Sequence, residues 1–311
     1  MNRLLIRLGS VAIGVLAWTL RNTPAGFSKG LGRFLGWTWY RVIPIRRAVA
    51  RENIEQALGL AGPDRERVVR AMYLHLGESF VEFLRFAGAT DQQIPLRIEG
   101  REHLESALAA GRGVICVTAH LGNWELLMRG GRLVDAPVMV VSKMLRSPVA
   151  HALWMGVREG GAEIVFTEGS ARQIVSHLGR NGVVGYVLDQ HAPTTRAVWL
   201  PFMGRLAATS PDVVRLARMS SAVVLPVFIR RGLDGHYIDV GLPIDMPDTG
   251  DRRTDEIEGT RRCLVPVEAA IRGNPGQWLW IHRRWKAPPP GVAPTSSTEN
   301  AQNMCQRAAS S

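Results

Sequence analysis

Residues 114–129 read VICVTAHLGNWELLMR, a mostly apolar run followed by a histidine at 120 and a carboxylate at 125. An imidazole beside a carboxylate is half of a general-base arrangement. The carboxylate fixes the ring tautomer and stabilises the imidazolium, while the other ring nitrogen takes a proton. Of the eight histidines, only His120 has an acidic residue five positions downstream. On a continuous helix that spacing leaves the two side chains about 140° apart, so a break between them is required. The sequence supplies one: VICVTA reads as a buried strand, Asn123 as a helix N-cap and Glu125 as part of the first helical turn. His120 then lies on a strand-to-helix loop at the carboxyl end of a strand, where open α/β sheets hold their ligands. The competing reading of the same residues is a structural histidine beside a solvated helix-start glutamate.

Other elements must position such a loop. From residue 97 onward, helical and strand patterns alternate, with helices near 101–110 and 124–134 and strands at 114–119, 137–143 and 162–167. Further strands are expected at 183–189, 197–203, 222–230 and 237–244. This alternation predicts an α/β fold, a mixed central sheet flanked by helices. Upstream, residues 63–87 place Val68, Val69, Met72, Leu76, Phe80, Phe83 and Leu84 at helical spacing after Pro63 and Asp64. They predict a long amphipathic helix on which His75 and Glu78 are solvated. The last segment, 287–311, is rich in Pro, Ser, Ala and Gly and is expected to be a disordered tail.

At the N-terminus, Leu8 to Leu20 are uncharged between Arg3 and Arg7 on one side and Arg21 on the other. A spanning helix wants ~20 apolar residues, so this run is short, and the small-x-small cleavage site of a signal peptide is poorly formed. It predicts an uncleaved membrane anchor. The following FSKGLGRFLGWTWYRVIPIRR interleaves Phe, Trp and Tyr with Lys and Arg, an interfacial composition that also suits a core helix with a basic edge. Residues 1–45 are therefore read as anchor and interfacial segment, 46–286 as the catalytic domain and 287–311 as the tail. The net charge of +11 favours an anionic partner: nucleic acid, an acidic protein or a phospholipid surface. Nucleic acid is disfavoured, because no zinc-finger spacing, basic helix or aromatic RNA-binding strand accompanies the charge. Cys116, Cys263 and Cys305 are too scattered for a zinc site or a disulfide framework, which suits a reducing compartment, and no metal is expected.

Six blocks then follow one another in order: HLGNWE, VVSKMLRSP, VLDQH, WLPFMGRLAATS, SSAVVLPVFIRR and NPGQWLWIHRRWK. Through them the chain resembles the late acyltransferases of lipid A biosynthesis, the lauroyl and myristoyl transferases of Gram-negative bacteria, over about residues 3–290. The resemblance implies a glycerolipid-acyltransferase-like fold and a membrane-associated O-acyltransferase of the cell inner membrane, facing the cytoplasm. Such an enzyme moves a fatty acyl group from acyl carrier protein, or coenzyme A, to a hydroxyl of a lipid A precursor. The acyl thioester is a co-substrate, and no bound cofactor is implied. The implied partners are acyl carrier protein, the glycolipid acceptor and inner-membrane phospholipids.

Carried over residue by residue, His120 is the base and Glu125 its partner, while Asn123, Lys143, Arg146, Asp189 and Gln190 are substrate-binding residues. Lys143 stands where relatives often have arginine, with Arg146 as a nearby substitute, and His191 stands where an acidic residue is common. Backbone N–H groups of residues 122–124 are candidate oxyanion donors, and the helix start in TSPDVVRLA is a candidate anion site. Trp278, Trp280 and Ile281 are expected to bury, with Arg283 and Arg284 directed at lipid phosphate or the acidic carrier. FTEGS, with Glu168, echoes a second acyltransferase signature but equally reads as a solvated helix start. Two alternatives stay open: the same transfer onto another glycolipid such as a phosphatidylinositol mannoside, and a non-catalytic lipid-binding scaffold that keeps the fold.

Overall fold

Residues 2–87, 95–142, 144–158, 162–166, 170–192 and 197–286 are described by a computed structural model. Four helices come first: α1 (Asn2–Arg21), α2 (Ala25–Arg41), α3 (Arg47–Leu58) and α4 (Gly62–Arg85). Then the chain alternates: β1 (Leu96–Glu99), α5 (Arg101–Ala109), β2 (Val114–Thr118), α6 (Trp124–Gly130), β3 (Val138–Ser142), α7 (Pro148–Arg158), β4 (Glu163–Phe166), α8 (Ala171–Leu178) and β5 (Val183–Val187). A two-stranded antiparallel ribbon, β6 (Val198–Phe202) and β7 (Arg205–Thr209), precedes α9 (Asp212–Ser220), β8 (Val223–Arg231), β9 (His236–Val240) and α10 (Arg252–Gly273).

The main sheet has seven strands in the order β1-β9-β8-β2-β5-β3-β4. Its pairs are parallel except β8 with β9, which form an antiparallel hairpin. The sheet is therefore mixed, as the alternating pattern predicts. All of the expected strands are present; β1 and β7 are additional, and both are short with little apolar content to reveal them.

Every residue of β2 is buried, which is what a strand with neighbours on both edges and helices on both faces requires. Its side chains alternate between two cores. Ile115 and Val117 pack with Ile54, Leu264 and Trp280, whereas Val114 and Cys116 pack on the opposite face with Leu126, Leu225 and Ile229. Burial pushes the Cys116 thiol up to about 12, consistent with a small apolar residue rather than a nucleophile.

The N-terminal helices are joined by glycine. Gly32 and Gly36, four apart on one face of α2, meet Gly77 of α4, and a Cβ on any of the three would overlap backbone atoms of the other helix. At the corner between α1 and α2, Arg85 donates to Leu20 O (2.6 Å), Thr23 O (3.1 Å) and Ser28 Oγ (2.6 Å), satisfying carbonyls that the end of α1 leaves open. Most of α1 is exposed, including Leu4, Leu8, Val11, Val15 and Trp18, although Ala17 and Leu20 are buried. The interfacial segment divides: Phe27, Phe34 and Trp37 are exposed on α2, while Trp39 and Tyr40 pack against the core.

Contrary to the sequence expectation, His75 and Glu78 are buried. The helix α4 is covered on two sides, and both residues enter a polar network with Arg231, Glu82, His236 and Arg33. Arg231 donates to His75 Nδ1 (3.3 Å) and lies 3.4 Å from Glu78, which also holds Arg33 at 3.0 Å. Burial, reinforced by the Arg231 charge, lowers the His75 pKa from 6.5 to about 4. Between those values the unfolded chain binds a proton that the folded one refuses, so stability falls as pH falls through this window. Acidifying from about pH 7 to about pH 4 is expected to remove about 3 kcal/mol through His75 alone. Urea midpoints across that range check this, and a His75→Gln variant should show a flatter dependence above pH ~4.5.

The tail at 287–311, Lys143 and Glu168 lie outside the described residues.

Candidate active site

Sheet register builds the site. The last paired residues of β2 and β5 are Thr118 and Val187, and Leu188 N continues the ladder to Thr118 O at 3.0 Å. Two residues beyond that pair on each strand stand His120 and Asp189, so the ladder itself sets them side by side. Asp189 Oδ1 lies 2.9 Å from His120 Nδ1, and its Oδ2 accepts from the His120 backbone N–H (2.8 Å) and from Trp278 Nε1 (2.7 Å). Burial alone would raise the Asp189 pKa, but the His120 ring and these N–H donors outweigh it and hold the carboxyl below its ordinary value. An ionised Asp189 makes Nδ1 the protonated nitrogen and leaves the lone pair on Nε2. The Gln190 amide nitrogen lies 3.2 Å from that Nε2, and the Trp124 ring meets the imidazole edge-on at 5.3 Å.

The loop carrying His120 is held from both sides. Gly122 has φ +57, and a Cβ there would overlap Ile229 O. Its N–H donates to Gln277 O (3.0 Å), and Leu279 N donates to His120 O (3.1 Å). The Gly122 N–H is thereby committed and drops out of the expected oxyanion donors. From the other side, Asn123 donates to Glu82 Oε2 (2.9 Å) and Ser79 O (3.3 Å) on α4. Asn123 stands at the N-cap position of α6 without a side-chain cap bond and is 1% exposed, so it anchors the loop instead of meeting substrate. Glu82 also binds Arg231 through two guanidinium nitrogens and His236 Nε2 at 3.2 Å.

The spacing argument expects Glu125 to orient His120. In the structure Nδ1 goes to Asp189, and both Glu125 oxygens accept from Arg158, Oε2 from Nε and Oε1 from Nη2, each at 2.8 Å. The Arg158 guanidinium lies 3.5 Å over the Trp154 ring of α7. A residue near in sequence was outcompeted by one sixty-nine positions away, because β5 is the direct neighbour of β2. His120, Glu125, Arg158 and Gln190 nevertheless share one cavity of about 730 Å³. Its walls are largely aliphatic, including Cys116, Leu127, Val138, Val227, Ile238 and Val240, and it reaches the exposed Met144 and Leu145 at its rim. Arg146 is exposed beside that rim, just before α7. No group of three or more metal-ligating side chains occurs among the described residues.

Two expectations about charge are corrected. Arg284 does not project to solvent: it is fully buried, donates to Ala208 O and to Thr209 Oγ1 (2.6 Å), and lies over the Phe202 ring. Burial lowers its pKa to about 10. The helix start at α9 carries the Asp212 carboxylate in its first turn, hydrogen-bonded by Ser210 Oγ at 2.5 Å, so that end already holds its anion. Trp278 and Trp280 are buried as expected, but Trp278 also binds Asp189. No local sequence signal marks that second role.

A sequence model of the bacterial lipid A biosynthesis acyltransferases matches residues 3–287. The chain belongs to this family. Lipid A biosynthesis acyltransferases are O-acyltransferases, and individual members align along most of the chain. A lipid A biosynthesis lauroyltransferase of Escherichia coli K12 is 27% identical over 287 residues, covering 91% of this chain and 92% of its own. A lipid A biosynthesis acyltransferase of Haemophilus influenzae is 26% identical over 226 residues, or 70% of this chain and 68% of its own. The phosphatidylinositol mannoside acyltransferase of Mycobacterium tuberculosis H37Rv is 28% identical over 254 residues, 76% of each chain. Acyl transfer to a glycolipid is the activity these relatives have in common with the family.

Proposed function

We propose that the protein transfers a fatty acyl group from acyl carrier protein, or coenzyme A, to a hydroxyl of a lipid A precursor, with His120 as general base. The observation that carries this reading is the His120–Asp189 pair on the wall of a mostly aliphatic cavity of about 730 Å³, a size suited to an acyl chain. With Nδ1–H given to Asp189, the acceptor hydroxyl displaces the Gln190 amide from Nε2. Its proton passes to Nε2 as its oxygen bonds to the thioester carbonyl carbon. The released Gln190 N–H then donates to the carbonyl oxygen, where negative charge gathers. Collapse breaks the carbon–sulfur bond, and the imidazolium returns the proton to the departing thiolate. One ester and one thiol leave, and the ring is neutral again.

Glu125 serves the same step through Arg158, holding the guanidinium against Trp154 for a phosphate of either substrate. Lys143 and Arg146 are proposed to help bind the same phosphates, and Asp189 acts by orienting His120. The proposed setting is the cytoplasmic face of the inner membrane. Supporting it, Leu4–Arg21 is long and apolar enough to cross a bilayer, with a mean hydropathy of 1.5 and only 11% of the window buried. Exposed Phe27, Phe34 and Trp37 continue the apolar surface on α2, and the basic net charge suits both anionic phospholipid and acidic carrier protein.

The test combines purified full-length protein with acyl carrier protein thioesters and an under-acylated lipid A precursor, read by mass spectrometry. Wild type should add one acyl group and His120→Ala should not. Transfer only to a phosphatidylinositol mannoside would move the acceptor to that class. Acceptor binding without transfer from any thioester would leave the scaffold reading standing.

A further inference from the structure

The cavity narrows where its roof loses its side chains. Its roof is α6, which starts at Trp124 against the His120 ring and ends at Gly130, about 9 Å further along the helix axis. Its floor includes the face of β2 that presents Cys116 and Thr118, running back from His120 toward the start of the strand. Gly130 and Gly131 both line the cavity, and each faces another of its walls. A Cβ on Gly130 would overlap Cδ1 of Ile238 on β9, touching only the flexible end of that side chain. A Cβ on Gly131 would stand 3.0–3.1 Å from three side-chain atoms of Val138 on β3. The two glycines thus leave open the gap between the end of α6 and two opposite walls. Next to Ile238, its register partner Ile98 on β1, together with Leu104 of α5, lines further apolar space.

We propose that Gly130, seconded by Gly131, sets how long an acyl chain the enzyme accepts, an inference that rests on the acyl transfer proposed above. The carbonyl is held at His120, so the chain extends away from Trp124 beneath α6. A long chain passes between Gly130 and Ile238 into the space lined by Ile98 and Leu104; a short one ends before the gap. Any side chain at 130 drives the Ile238 terminal methyl into this passage. The requirement for glycine here is one of volume, since neither residue has a positive φ.

The test is a homologous ladder of saturated straight-chain acyl thioesters, offered singly and in competition to full-length wild type, Gly130→Ala and Ile238→Val with the glycolipid acceptor. Gly130→Ala should lower kcat/KM for the longest donors that wild type uses by about 10-fold or more relative to shorter donors, the discrimination a misplaced methylene group gives. Ile238→Val should move the preference toward longer chains. Retained turnover of short donors certifies that each variant is folded. If Gly130→Ala does not fold, Ile238→Val carries the test alone. An unmoved chain-length profile, or equal loss on all donors, overturns the inference while leaving acyl transfer intact. Wild type that uses no thioester at all overturns the transfer reading instead.

Discussion

Asp189→Asn is expected to lower kcat by roughly a thousand- to ten-thousand-fold with the fold intact, the loss typical when an aspartate that orients a catalytic histidine becomes an amide. The geometry says why. The Oδ2 position takes two N–H donors, from the His120 backbone and the Trp278 indole, so an asparagine must place its carbonyl oxygen there. Its NH2 then faces Nδ1, which has to accept. The ring proton moves to Nε2, and the atom that should remove the acceptor's proton already carries one. Glu125→Gln leaves this tautomer alone and acts through Arg158, so its main effect is expected on KM for the phosphate-bearing substrate. Steady-state kinetics with ring-nitrogen NMR of the two variants check this. If Asp189→Asn kept more than about a tenth of wild-type kcat while Glu125→Gln lost it, the orienting role would pass to Glu125.

Gly36→Val is expected to destabilise the protein by about 3 kcal/mol or more, at the upper end of overpacking effects. The new Cβ would overlap the backbone of Tyr73 and Leu74 on α4, and backbone cannot turn aside as a side chain can. The helices α2 and α4 would have to separate along the contact that Gly32 and Gly77 also make. Gly30, on the same helix with nothing near its absent Cβ, is the control. There a change to alanine should be neutral or stabilising by about 0.5–1 kcal/mol, since glycine is a poor helix former. Urea midpoints of the two variants in one detergent decide the matter, and equal midpoints would sink the close-packing argument.

Much of the sheet was legible in the sequence because its strands are buried on both faces and read as continuous apolar runs, VICVT and VVLPVFIRR among them. Short strands such as β1, with alternating burial, gave little to detect. His120 was legible from its place where a strand pattern stops and a helix begins. Its pairing with Asp189 was not, because register between strands is a tertiary property, and a spacing rule sees only neighbours along the chain. The VLDQH block marked Asp189 and Gln190 as functional without saying which atom they would serve. His75, Glu78 and Arg284 were misjudged for a common reason. Charged and polar types default to solvent, and only the surrounding elements reveal that a partner is waiting inside.

The strand order carries a consequence for how the chain is assembled. β5 lies between β2 and β3, both of which are synthesised before it. Those two earlier segments must therefore stay unzipped from each other until the later one threads into the slot, a non-local closure of the slow kind. Until that insertion, Asp189 is absent from its place and the imidazole has no fixed tautomer. A nascent or misassembled copy is thus chemically silent, and catalytic competence reports that the last interior strand has docked.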